Sequence, residues 1–138
     1  MKTPIRVLIA EDSPVDAELI LRELRRAGYD PAWMRVDTEP DYLAQLHPDL
    51  DIILSDFEMP QFSGLRAMSL LKESGLDVPL IVISGTIGEE QAVATMKLGG
   101  ADYLLKDRLS RLGQAVAGAL MQRLAQRRQI DAELVLCH

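Results

Sequence analysis

The sequence predicts an α/β protein, a doubly wound five-stranded parallel sheet with helices on both faces. Three observations carry that prediction. Short apolar, β-branched runs recur five times along the chain, segments with helical spacing separate them, and 138 residues suffice for one compact domain but not for two of ordinary size. Strand and helix alternating at this spacing pair in parallel through right-handed crossovers.

The expected strands are Ile5 to Ala10, Ala32 to Val36, Asp51 to Leu54, Val78 to Ile83 and Ala101 to Leu105. After the first strand, Val15, Leu19, Ile20, Leu24 and Ala27 fall at helical spacing, with Arg22, Glu23, Arg25 and Arg26 facing elsewhere. Ser13 suits the N-cap of this helix and Pro14 its first turn. A second helix is expected after Thr38, a third over about Gly64 to Ser74, and a fourth over about Gly88 to Leu98. Gly28, Gly75 and Gly99 then stand where helices stop. The last helix is expected from near Ser110 to about Leu136, roughly 40 Å at 1.5 Å per residue, which exceeds what the sheet can cover. Its first half carries Leu112, Val116, Leu120 and Leu124 at core spacing, whereas Arg127, Arg128, Gln129, Asp131 and Glu133 make the second half polar. That second half is expected to project outward or fray. A domain over residues 1–122 followed by an extension over 123–138 is the resulting division.

Composition narrows the functional classes. A hydrophobic content of 48% and a charged content of 26% match a globular chain. The net charge of −6 argues against nucleic acid as a partner, because phosphate backbones are met by clustered Lys and Arg. The longest apolar runs fall far short of the about 20 residues that span a bilayer, so no membrane partner is expected. Met1 to Pro4 leads straight into a strand, leaving no room for a signal peptide, and cytoplasmic residence is the expectation. A single cysteine, Cys137, and two histidines make neither a disulfide nor a structural zinc site, and Cys137-His138 is assigned no role.

In an open parallel sheet, ligands bind beyond the carboxyl ends of the strands. Glu11 and Asp12 follow the first strand, Asp56 the third, Ser84 the fourth and Lys106 the fifth. Three converging carboxylates repel one another, and the remedies are raised pKa values or a bound cation. Oxygen ligands suit Mg²⁺. A magnesium site flanked by a lysine and a hydroxyl is equipment for a phosphoryl group, with Asp56 as the nucleophile that forms an acyl phosphate.

The segments Ala10-Glu11-Asp12-Ser13, Ser55-Asp56 to Met59-Pro60, Gly64-Leu65, Ile83-Ser84-Gly85-Thr86 and Tyr103-Leu104-Leu105-Lys106 resemble the receiver domain of two-component response regulators. The resemblance covers about residues 4–122. Each segment alone is a weak signal, but five in the right order at the right strand ends are a strong one. The resemblance implies a flavodoxin-like sheet of order 2-1-3-4-5. It implies that Asp56 accepts a phosphoryl group from the phosphohistidine of a histidine kinase or histidine phosphotransfer protein. Mg²⁺ would be bound by Glu11, Asp12, Asp56 and the backbone carbonyl of Glu58. Ser84, Gly85 and Lys106 would hold the phosphoryl oxygens. Ser84 and Tyr103 would form the switch that reshapes the face of helix four and strand five. Glu58 and Thr86 occupy positions that tune turnover. The implied protein is not a stand-alone enzyme; its chemistry is limited to phosphotransfer onto itself and autodephosphorylation.

Asp107 departs from the family, which usually has proline after this lysine. Competing readings are weaker on particular residues. A haloacid-dehalogenase-type phosphatase would want a second aspartate where Glu58 stands, and a flavin-binding protein of the same architecture would not place Glu11-Asp12 against a phosphate. A receiver that only docks, without turning over phosphate, is the remaining alternative. Arg22, Arg25 and Arg26 are read either as a solvated face or as a dock for an acidic partner. The extension is read as a solvated helix, a signalling helix into a downstream output or kinase domain, or a segment that forms a homodimer. Either a single-domain regulator or a module of a longer hybrid histidine kinase fits.

Overall fold

The structure is a computed structural model and describes residues 2–85 and 88–136. Ten elements alternate in order: β1 (Thr3–Ala10), α1 (Pro14–Arg26), β2 (Tyr29–Val36), α2 (Glu39–Gln45), β3 (Ile52–Asp56), α3 (Gly64–Ser74), β4 (Leu80–Ser84), α4 (Glu89–Lys97), β5 (Asp102–Leu105) and α5 (Leu112–Leu136). All pairings are parallel and the sheet order is β2-β1-β3-β4-β5. None of the described helices is long and apolar enough to cross a membrane.

The period-two alternation of strands divides the interior into two cores. Val7 and Ile9 of β1, Ile52 and Leu54 of β3, and Ile81 and Ile83 of β4 point to one face. There they pack with Ala17, Ile20, Leu21 and Leu24 of α1 and Leu112, Val116 and Ala119 of α5. Leu8, Ala10, Ile53, Leu80 and Val82 point the other way, onto Tyr42 of α2 and Ala67, Met68, Leu70 and Leu71 of α3. Each fully buried aliphatic side chain stabilises the fold by roughly 1.5–3 kcal/mol, so the central strands are the least replaceable part of the chain. Tyr42, fully buried, donates its hydroxyl to the Ala67 carbonyl at 2.8 Å and so ties α2 to α3.

Local signals set the ends of the helices. Ser13 Oγ accepts from the Asp16 amide at 3.2 Å with Pro14 in the first turn, and Ser63 caps α3 in the same way. Gly28, Gly75 and Gly99 all have positive φ just past α1, α3 and α4, the conformation that non-glycine residues resist.

Several expectations are corrected. On α1, Val15 is 70% exposed, and Leu19 and Ala27 are exposed as well; the buried stripe runs instead through Ala17, Ile20, Leu21 and Leu24. Ile20 and Leu24 are common to the expected and the observed stripe; Ala17 and Leu21 complete it because they pack into the core shared with the sheet and α5. β2 starts at Tyr29, earlier than expected, because an edge strand tolerates Asp30 and Pro31. Asp51 lies outside β3 and accepts from the Arg6 amide at 2.7 Å, while β3 continues through Ser55 and Asp56. Val78 and Pro79 precede β4. The last helix starts at Leu112, after a 3-10 turn over Lys106–Arg111. Leu124 is exposed, whereas Arg123 is buried and donates to the Leu50 carbonyl at 2.6 Å and to Asp77 Oδ1 at 2.9 Å. Arg127 also donates to Asp77, at 2.7 and 3.1 Å, so the polar half of α5 is anchored where it begins.

Candidate functional site

Register places the site. Ala10 pairs with Ser55, Asp56 with Ile83, and Ser84 with Leu105, so Glu11, Asp56, Ser84 and Lys106 end or follow four neighbouring strands along one edge of the sheet. Glu11 and Asp56 are buried and Asp12 is exposed, and carboxylate oxygens of the three lie within 4.8 Å of one another. Asp56 is fixed by strand pairing on one side and by Gly64 on the other. The Gly64 amide donates to the Phe57 carbonyl at 2.8 Å, and a Cβ at Gly64 would stand 2.7 Å from the Asp56 carbonyl oxygen and 3.1 Å from Phe57 Cα. Only glycine lets α3 approach the acceptor loop this closely.

Lys106 reaches into the carboxylates. Its Nζ is 2.7 Å from Asp16 Oδ2, 3.1 Å from Glu11 Oε2 and 3.3 Å from Asp56 Oδ2. Burial alone would pull its pKa down, but the hydrogen bonds and charges of Asp16, Glu11 and Asp56 hold it above the usual lysine range. Burial pushes the Glu11 carboxyl up to about 7, with the charge of Asp56 adding to the rise and the Ser13 amide and Lys106 opposing it. Glu11 Oε1 accepts from the Ser13 amide at 3.1 Å. Glu11 Oε2 is buried and has the Lys106 ion contact but no aligned hydrogen bond among the described residues.

That poorly satisfied oxygen, beside two further carboxylates, fits a small hard cation that takes oxygen ligands. The donor set has the chemistry Mg²⁺ requires, and the burial of Glu11 explains why a cation would relieve it.

The remaining expected residues fall around this centre. Ser84 is buried at the end of β4 and Gly85 follows it, with Lys106 Cδ near its backbone. Glu58 lies on the exposed loop after Asp56. Tyr103 sits on β5, its ring edge against Phe57 at a centroid distance of 6.4 Å, and its hydroxyl donates to Gln91 Oε1 of α4 at 3.2 Å. Thr86, like Cys137 and His138, lies outside the described residues. The peptide bonds of the described residues are trans, including that before Asp107. One residue at the centre was not expected from sequence: Asp16, in the first turn of α1.

The family model of the response regulator receiver domain matches residues 7–117. The chain belongs to that family, whose members serve phosphorelay signalling in two-component systems. It is 35% identical over 114 residues to a protein-glutamate methylesterase/protein-glutamine glutaminase 2 of Caulobacter vibrioides, covering 80% of this chain and 33% of that protein. It is 31% identical over 102 residues to the cell cycle response regulator CtrA of Brucella ovis, covering 74% and 44%. The chain thus spans a third to under half the length of these curated relatives. Among solved structures, the signal receiver domain of a Luxo repressor protein from Vibrio parahaemolyticus superposes with a TM-score of 0.78 at 24% identity, covering 90% of this chain and 95% of that one. That likeness speaks to the fold.

Proposed function

We propose that Asp56 is the phosphoacceptor of this receiver and that its phosphorylation switches a protein contact. The observation that supports this most is the placement of a buried Asp56 carboxylate between two acidic neighbours and the Lys106 ammonium, at the strand ends where ligands bind. Asp56 Oδ attacks the phosphorus of a phosphohistidine on a histidine kinase or phosphotransfer protein. The P–N bond breaks, its electron pair stays on the imidazole, which takes up a proton, and an acyl phosphate forms. Water attack on phosphorus later releases inorganic phosphate and restores the carboxylate.

Glu11, Asp12, Asp56 and the Glu58 backbone carbonyl would hold Mg²⁺, which when bound neutralises charge on the phosphoryl oxygens. Lys106 meets one of those oxygens, and the Ser84 hydroxyl and Gly85 amide donate to another. Movement of Ser84 toward the phosphoryl group vacates space beside β4 that the Tyr103 ring takes up, which breaks its bond to Gln91 and alters the α4 and β5 face. Exposed Glu58, two residues after the acceptor, tunes the lifetime of the acyl phosphate together with Thr86, two residues after Ser84. Residues 1–122 form the receiver and 123–138 the extension that carries the signal onward, to an output or kinase domain or to a second copy of the chain.

Borohydride trapping tests the acceptor. After incubation with acetyl phosphate and Mg²⁺, reduction should convert residue 56 alone to the alcohol, seen by peptide mapping. Reduction at another carboxylate, or none, contradicts the reading.

A further inference from the structure

We propose that Asp16 is a positioning residue for Lys106: it draws the ammonium aside so that the oxygens of Glu11 and Asp56 stay available to a cation. This rests on the phosphoacceptor reading of the same site.

The geometry points this way. Among the three carboxylates around Lys106 Nζ, Asp16 Oδ2 is the nearest, at 2.7 Å, against 3.1 Å to Glu11 and 3.3 Å to Asp56. Asp16 is also the one that does not belong to the Glu11, Asp12 and Asp56 cluster. Its contact spans 90 residues of sequence and joins the first turn of α1 to the end of β5. Lys106 and Asp16 together with Leu19, Ile20 and Leu109 line a cavity of about 20 Å³. Apolar walls lower the local dielectric and strengthen a pair whose side chains are only 24% and 34% exposed.

The consequence is competition. A lysine ammonium has three donors and no acceptors, so it bonds whatever carboxylates surround it. Without the Asp16 charge, its remaining carboxylate partners are Glu11 and Asp56, whose oxygens a cation also needs. Lys106 would then act as an internal competitor of Mg²⁺. With Asp16 in place, the shortest of the ammonium's contacts goes to Asp16, and its bond to Asp56 Oδ2 is the longest of the three at 3.3 Å.

The test is a double-mutant cycle on Mg²⁺ affinity, measured by calorimetry on the unphosphorylated chain, so that it is independent of whether Asp56 accepts phosphate. Asp16→Asn should weaken Mg²⁺ about five-fold when Lys106 is present and less than two-fold in the Lys106→Met background. Asp16→Glu should recover most of the loss. An equal effect in both backgrounds, or none in either, overturns the proposal. Circular dichroism and urea midpoints of each variant identify any that fail to fold; if Asp16→Asn fails, Asp16→Ser carries the cycle with the same criterion. The wild-type metal titration separates the two readings, because a chain that binds Mg²⁺ but is not phosphorylated refutes the phosphoacceptor and leaves the Asp16 result standing.

Discussion

Replacing Arg123 with methionine keeps an apolar stem and removes the guanidinium, and its cost follows from what the guanidinium touches. Nη1 donates to the Leu50 carbonyl at 2.6 Å and Nη2 to Asp77 Oδ1 at 2.9 Å, with longer contacts at 3.3 Å to Pro48 O and 3.4 Å to Asp51 O. A buried carbonyl left without its donor costs about 1–3 kcal/mol. Asp77 is half exposed, and solvent reduces its pairing to about 0.5 kcal/mol. Among the described residues the buried Nε of Arg123 has no hydrogen-bond partner, so removing it returns part of the loss. The net expectation is a loss of about 2 kcal/mol, a substantial share of the 5–15 kcal/mol typical of a domain, and about 8 °C in Tm. Urea unfolding followed by circular dichroism should show a lower midpoint at unchanged slope. Arg127→Met, at a half-exposed side chain, should cost under about 1 kcal/mol. The reasoning fails if Arg123→Met loses less than about 0.5 kcal/mol or no more than Arg127→Met. The same experiment bears on the domain edge: a chain ending at residue 122 should lose at least as much as Arg123→Met, and one ending at residue 128 should not.

Two further predictions concern pH and packing. The Asp77 carboxyl is held well below the usual carboxylate range, first by the hydrogen bond from Arg127 and then by that from Arg123. A depressed acid contributes stability that is present above its unfolded pKa, near 4, and is lost as pH falls through the lower folded value. Unfolding between pH 5 and 2 should therefore show a steeper loss in wild type than in Asp77→Asn, and parallel curves would contradict the pairing. Gly64→Ala puts a Cβ 2.7 Å from the Asp56 carbonyl oxygen, backbone that cannot rotate away, so it should cost about 1–3 kcal/mol and slow phosphorylation of Asp56. Unchanged stability in a urea titration would refute the close approach.

How much of this was legible in the sequence depended on how local each signal is. The central strands and the polar residues that follow them could be read because burial on both faces demands continuous apolar runs, and the sheet edge collects whatever comes next. Edge strand β2 was read short because one exposed edge lets Asp30 and Pro31 in. The buried face of α1 was partly misread, since Val15 and Leu19 fit a helical period as well as Ala17 and Leu21 do. Arg123 looked like the start of a solvated tail because nothing nearby in sequence shows the carbonyls of Pro48 and Leu50 that it meets. Asp16 escaped notice for the same reason: its partner, Lys106, lies 90 residues away. Pattern reveals which residues are buried and which follow strands; it does not reveal which long polar side chains meet across the fold.

The central claim is that Asp56 takes up a phosphoryl group with the help of a metal. It is tested most directly by the intact mass of wild type and Asp56→Asn after incubation with acetyl phosphate, with Mg²⁺ or with EDTA. The account predicts a gain of one phosphoryl mass in wild type with Mg²⁺ alone. No gain in that sample, or an equal gain in Asp56→Asn, would contradict it.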